Sequence, residues 1–68
     1  MRKPRLSRNT IEKLFHEGTA NTGKYEYEIG AEWNDELNGY QEKLYRWDED
    51  NNYEAWEIPA EGIWAFEK

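Results

Sequence analysis

Tyr25-Glu26-Tyr27-Glu28-Ile29-Gly30-Ala31-Glu32-Trp33 is the stretch on which the fold turns. Its odd-numbered positions are apolar or aromatic, and its even-numbered positions are glutamate save for Gly30. Side chains leave a β-strand on alternate sides, so a period of two held over nine residues predicts a strand with one buried face and one acidic face. Gly30 in mid-strand predicts a bulge or a bend, because it contributes no side chain to packing and loosens the backbone.

Toward the C-terminus, Asn34 to Gly39 closes on Asn38-Gly39, a strong hairpin signal because both residues accept a left-handed backbone. A second strand is expected from Tyr40 to Trp47. Its alternation is weaker, with Leu44 on one side and Tyr45 and Trp47 on the other, which suits a central strand covered on both faces. Asp48-Glu49-Asp50-Asn51-Asn52 forms a turn, and a third strand runs from Tyr53 to Ile58. Pro59-Ala60-Glu61-Gly62 is a second turn, with proline pre-set for its first central position, and Ile63 to Phe66 is expected as a short fourth strand.

Toward the N-terminus, Thr19 to Gly23 is rich in Thr, Asn and Gly and is expected to be a loop. Before it, Ile11, Leu14 and Phe15 fall at i, i+3 and i+4, the spacing of one helical face. Asn9 or Thr10 can cap the start of that helix and Gly18 its end. A helix of about two turns is marginal alone, so its apolar stripe must dock. The expected organisation is a basic flexible arm over residues 1–8 and one small α+β domain over residues 9–68. That domain is a short N-terminal helix followed by a three- or four-stranded antiparallel β-meander, with room to curl toward a small barrel.

Sixty-eight residues leave room for one domain, and the chain has no cysteine, so disulfides and thiolate metal sites are excluded. Cores of this size supply only about 3 to 5 kcal/mol, which places the burden on aromatic bulk. Ten of the eleven aromatic residues lie at or beyond Tyr25, and each removes about 150 to 250 Å² from water when buried. Self-association is a second route to buried area. No apolar run follows the basic start, so neither a signal peptide nor a membrane span is expected, and the default expectation is a cytoplasmic protein.

Each constellation that could carry catalysis lacks a part. Ser7 is the only serine, which leaves no nucleophile in the domain for a triad. His16-Glu17 opens like a zinc-protease helix, but the position of the second histidine holds Ala20. Asp48, Asp50 and Asn52 match the first ligands of a calcium loop, yet Tyr53 stands where the glycine belongs and Pro59 where the bidentate glutamate belongs. A carboxylate pair of the glycosidase kind needs a cleft deeper than so small a domain encloses. No enzyme activity and no cofactor are expected.

The net charge of −6 is unevenly spread. Residues 1–13 hold Arg2, Lys3, Arg5, Arg8 and Lys13 against Glu12, whereas residues 14–68 hold four bases against fourteen acids. Such a body repels nucleic acid and attracts basic surfaces. Glu26, Glu28 and Glu32 project from one strand face, with i and i+2 carboxylates about 6.6 Å apart, close to two phosphate steps of a nucleic-acid strand. Asp48, Glu49, Asp50 and Glu54 extend the array, and Tyr53 and Trp56 are expected as exposed anchors beside it. The functional expectation is a small acidic binding protein that occupies a basic, nucleic-acid-binding partner such as a nuclease, in the manner of a phage- or mobile-element-encoded nucleic-acid mimic. The alternative is an adaptor that uses exposed aromatics or a sheet edge. Direct nucleic-acid binding is expected only weakly, through Arg2, Lys3, Arg5 and Arg8.

Overall fold

The computed structural model describes residues 3–68. Its elements run α1 (Arg8–Glu17), β1 (Thr19–Asn21), β2 (Glu26–Asn34), β3 (Gly39–Trp47), β4 (Tyr53–Glu57) and a 3₁₀ turn (Ile63–Phe66). The four strands form one antiparallel sheet in the order β1-β2-β3-β4, an open meander rather than a closed barrel. The expected α+β class and the three longer strands therefore stand as read. No helix among the described residues is long and apolar enough to cross a membrane.

β2 and β3 pair one for one from Glu26↔Trp47 to Asn34↔Gly39, so no bulge interrupts the ladder at Gly30. Gly30 serves a different purpose. The ring of Tyr45 lies over it, and a Cβ at residue 30 would sit 2.8 Å from a ring carbon. The connection between the strands is held by Asn34, whose Oδ1 accepts from the N–H groups of Glu36 (2.9 Å) and Leu37 (3.3 Å). Asn38 takes the left-handed conformation (φ 53) that the Asn-Gly signal anticipates.

Further sequence expectations are corrected. Thr19–Asn21, read as loop, is the edge strand β1, paired through Thr19↔Glu28, Ala20↔Tyr27 and Asn21↔Glu26. Three residues are too few to show a period, but Ala20 is buried on the core side. Ile63–Phe66, read as a strand, is a 3₁₀ turn entered through Gly62 (φ 85). In that geometry residues i and i+3 eclipse, so Ile63 and Phe66 both turn inward.

The third correction concerns residues 1–8, of which the first two lie outside the described residues. Pro4 and Leu6 are buried. The Leu6 N–H donates to the Phe66 carbonyl at 2.8 Å and the Lys68 N–H to the Leu6 carbonyl at 3.0 Å, which makes a parallel bridge between Leu6 and Glu67. Ser7, not Asn9 or Thr10, is the N-cap: its hydroxyl accepts from the Thr10 N–H at 3.3 Å. Gly18 closes the helix as expected, in the left-handed conformation (φ 81) with its N–H on the Leu14 carbonyl.

α1 lies on the side of the sheet to which Ala20, Tyr27 and Leu44 point, and the core is Leu6, Ile11, Leu14, Ala20, Tyr27, Leu44, Ile58, Ile63 and Phe66. Phe15, expected in the apolar stripe, is 60% exposed and lies beside Trp64 instead, with ring centres 6.0 Å apart and planes tilted by 45°. Because Leu6 belongs to the core, Leu6→Ala should cost about 2 to 5 kcal/mol in urea unfolding, a large share of a small domain's stability. Arg5→Ala, one residue away and exposed, should stay within about 0.5 kcal/mol.

The open sheet face as candidate functional site

The alternation that sends Tyr27 and Leu44 into the core sends their neighbours to the opposite face, and α1 does not cover that side. Across the strands the register sets Glu26 beside Trp47 and Trp47 beside Tyr53, then Glu28 beside Tyr45 and Tyr45 beside Ala55, then Gly30 beside Lys43 and Lys43 beside Glu57. Small residues at Gly30 and Ala55 leave room for the aromatic rings to lie down along the sheet. Tyr45 stacks on Trp47 (ring centres 6.1 Å apart, planes 28° apart) and on Tyr53 (5.9 Å, 15°), and Trp47 and Tyr53 meet at 5.9 Å. β3 was expected to be covered on both sides; here its second cover is this stack of its own and its neighbour's rings.

Carboxylates border the stack, and they differ in state. Glu32 accepts the Tyr45 hydroxyl hydrogen bond and lies 3.4 Å from Lys43 Nζ. The Tyr45 hydrogen bond, reinforced by Lys43, holds the Glu32 carboxyl below its ordinary range. Reciprocally, the bond to Glu32, with a smaller contribution from burial, pushes the Tyr45 hydroxyl up to about 12. Glu26 accepts only a long 3.4 Å bond from Asn21 Nδ2, and neither Glu26 nor Glu28 forms an ion pair among the described residues.

Of the residues singled out from the sequence, Glu26, Glu28, Glu32 and Tyr53 share this face. The others do not join them. Asp48 shapes the β3–β4 turn: its Oδ1 accepts from the N–H groups of Asp50 and Asn52, both at 2.9 Å, and its Oδ2 from Asn52 Nδ2 at 3.2 Å. Asn52's backbone N–H is the main cause holding the Asp48 carboxyl low. Glu49 and Asp50 are exposed at the tip of that turn. Glu54 and Trp56 lie on the core side. Glu54 grips Arg46 at 2.7 Å, and the Arg46 guanidinium stands over the rings of Tyr25 (4.3 Å) and Trp56 (5.0 Å).

The expected exposed pair of Tyr53 and Trp56 is thus divided by the sheet, with Tyr53 exposed and Trp56 half-buried against the core. Residues three apart in a strand point to opposite faces, so this division was legible. The same parity puts Tyr45 and Trp47 on one face, and the register that sets Trp47 beside Tyr53 brings the third ring to them. Among the basic residues of the start, Lys3 donates to the Ala65 carbonyl at 3.1 Å and Arg8 pairs with Glu12 at 3.4 Å, while Arg5 is exposed and Arg2 lies outside the described residues. Among the described residues no three of His, Asp and Glu gather as metal ligands.

The Tyr45–Glu32 bond ties stability to pH at both ends. The raised Tyr45 hydroxyl stabilises the fold below its ordinary pKa of about 10, and that contribution is lost as pH rises toward about 12. The lowered Glu32 carboxyl stabilises the fold above its ordinary range, and that contribution is lost as pH falls through its folded value. In a tyrosine ionisation titration followed at 295 nm or by ring-carbon NMR, Glu32→Gln should bring Tyr45 down toward about 10. Glu28→Gln, on the same strand but without the bond, should move it far less. Comparison of the chain with family models, with curated proteins and with solved structures gives no match.

Proposed function

We propose that this protein is an acidic binding module that occupies a basic surface of a partner protein through the open face of its sheet. In the form we favour, it is a nucleic-acid mimic that inhibits a nuclease or another nucleic-acid enzyme, of the kind a phage or mobile element encodes. The observation that carries the proposal is the juxtaposition of two carboxylates without ion-pair partners among the described residues, Glu26 and Glu28, with a self-supporting stack of three aromatic rings. Carboxylates left free on a sheet face attract the arginines and lysines that line a nucleic-acid channel. The rings offer those same side chains a second contact, because a guanidinium is drawn to an aromatic face. Tyr53, 56% exposed, is the ring best placed to receive one.

Size does not stand against such a role. A standard protein interface takes about 800 Å² from each partner, a modest part of the 5085 Å² that this protein exposes. A second reading, an adaptor that uses exposed aromatics or a sheet edge, is favoured by a separate observation: Trp33 and Tyr40, at the far end of the β2–β3 hairpin, are 55% and 73% exposed.

Salt separates the two. With the protein as bait in a bacterial lysate, the favoured reading expects a basic nucleic-acid enzyme that is retained at low ionic strength and released as salt rises. Replacing Glu26 and Glu28 together by Gln should weaken that retention at least tenfold, a loss of about 1.4 kcal/mol. Salt-resistant capture of a protein that does not handle nucleic acid, unchanged by the two substitutions, would overturn it.

A further inference from the structure

The β2–β3 hairpin outruns its neighbours. β1 pairs with β2 only as far as Glu28, and β4 pairs with β3 only from Lys43. On the β4 side the chain continues the cover, with the Ile58 N–H on the Glu42 carbonyl at 2.9 Å and the Gln41 side chain on the Ile58 carbonyl at 3.0 Å. On the β1 side the last bond is from the Ile29 N–H to the Gly18 carbonyl at 2.9 Å. Backbone groups along a strand alternate in direction, so the residues that face outward after Ile29 are Ala31 and Trp33. Past Gly18 the chain has turned back into α1, and no strand of the described residues stands beside them.

We propose that this free edge of β2 is a docking site for an extended segment of a partner protein in which basic and apolar residues alternate. The proposal develops the adaptor reading, and of the open face it uses only the carboxylates nearest this edge, Glu28 and Glu32. A segment laid beside β2 in line with β1 would pair with the N–H and C=O groups of Ala31 and Trp33, the mode of recognition in which a peptide adds a strand to a sheet. Its side chains would then alternate with those of β2. On the core side they would meet Ala31 and Trp33, both exposed, with exposed Phe15 at the near end of the edge beside Gly18 and Ile29. On the other side they would meet Glu28 and Glu32.

Charge selects the occupant. Residues 28–43 carry five carboxylates, Glu28, Glu32, Asp35, Glu36 and Glu42, against one base, Lys43. A second copy of this chain paired edge to edge would set those glutamates against their own kind, and like charges facing across strands destabilise the pairing. A basic and apolar segment meets complementary groups on both sides. The outer edge of β4 is a poorer template: Glu54 is already committed to Arg46 and Trp56 is already half-buried, so an added strand gains little side-chain contact there.

The test is an NMR titration of the full chain with a five-residue peptide alternating arginine and valine, capped at both ends. The expected result is at least tenfold slower amide hydrogen exchange at Ala31 and Trp33 in the presence of excess peptide. The same peptide methylated on its central backbone nitrogens should lose the effect, since it cannot donate to the strand. Ala31→Pro deletes an edge donor at a position where proline is tolerated, and it should weaken binding at least tenfold at an unchanged melting temperature; the methylated peptide keeps the test decisive if that variant does not fold. Four outcomes would overturn the proposal: perturbation confined to Tyr45, Trp47 and Tyr53, protection along Tyr53 to Glu57 instead, equal binding of the methylated peptide, or no change at Ala31 and Trp33. The first of these would leave the open-face proposal intact, and loss of open-face binding would leave this one intact.

Discussion

One ten-residue helix can cover only one side of a four-stranded sheet. Everything on the other side must hold itself together in water by contacts between side chains. That constraint explains why the aromatic residues fall on both faces. Tyr27, with Tyr25 and Trp56 packed around it, closes the core side, while Tyr45, Trp47 and Tyr53 shield the backbone of the uncovered side by lying on one another. Gly30 and Ala55 are the complements of those rings, small where the rings are large. The uncovered face is therefore ordered without a second layer, and it is available to another molecule.

Charged residues follow the same division. On the core side the Arg46–Glu54 pair is set against Tyr25 and Trp56, where a planar guanidinium can both stack and hydrogen-bond. On the open side Lys43 and Tyr45 converge on Glu32, which consumes one carboxylate in structure and leaves Glu26 and Glu28 without an ion-pair partner among the described residues. Asp48 is spent on its own turn. An acidic composition thus resolves into a few carboxylates that maintain the fold and a few that face solvent with no ion pair among the described residues.

The strongest local signals were legible in the sequence. The alternation from Tyr25 to Trp33, the Asn38-Gly39 corner and the Gly18 helix end each depend on the backbone preferences of their own few residues, and each appears where those preferences place it. The parts that were not legible depend on distant partners. Leu6 is one apolar residue in a basic stretch, and nothing near it reveals that Phe66 and Lys68 will bond its backbone. Ser7 becomes the cap because Leu6 is fixed. β1 exists because Ala20 has Tyr27 to lie beside, and three residues carry no period of their own. The site divides in the same way: that Tyr45 and Trp47 share a face follows from counting residues, whereas the arrival of Tyr53 beside them and the state of each glutamate need the registers that set Trp47 beside Tyr53 and bring Lys43 and Tyr45 near Glu32.

The bridge between Leu6 and Glu67 bears on how the molecule forms. It joins residues at nearly opposite ends of the described chain, and such a loop is costly to close before the elements within it have formed. The hairpins are local and can form early, whereas α1 completes its packing only when Phe66 arrives at the wall behind it. During synthesis on a ribosome, α1 emerges before Phe66 and is consequently among the last of these elements to complete its packing. Until then the part of its apolar stripe that meets Ile63 and Phe66 has no cover.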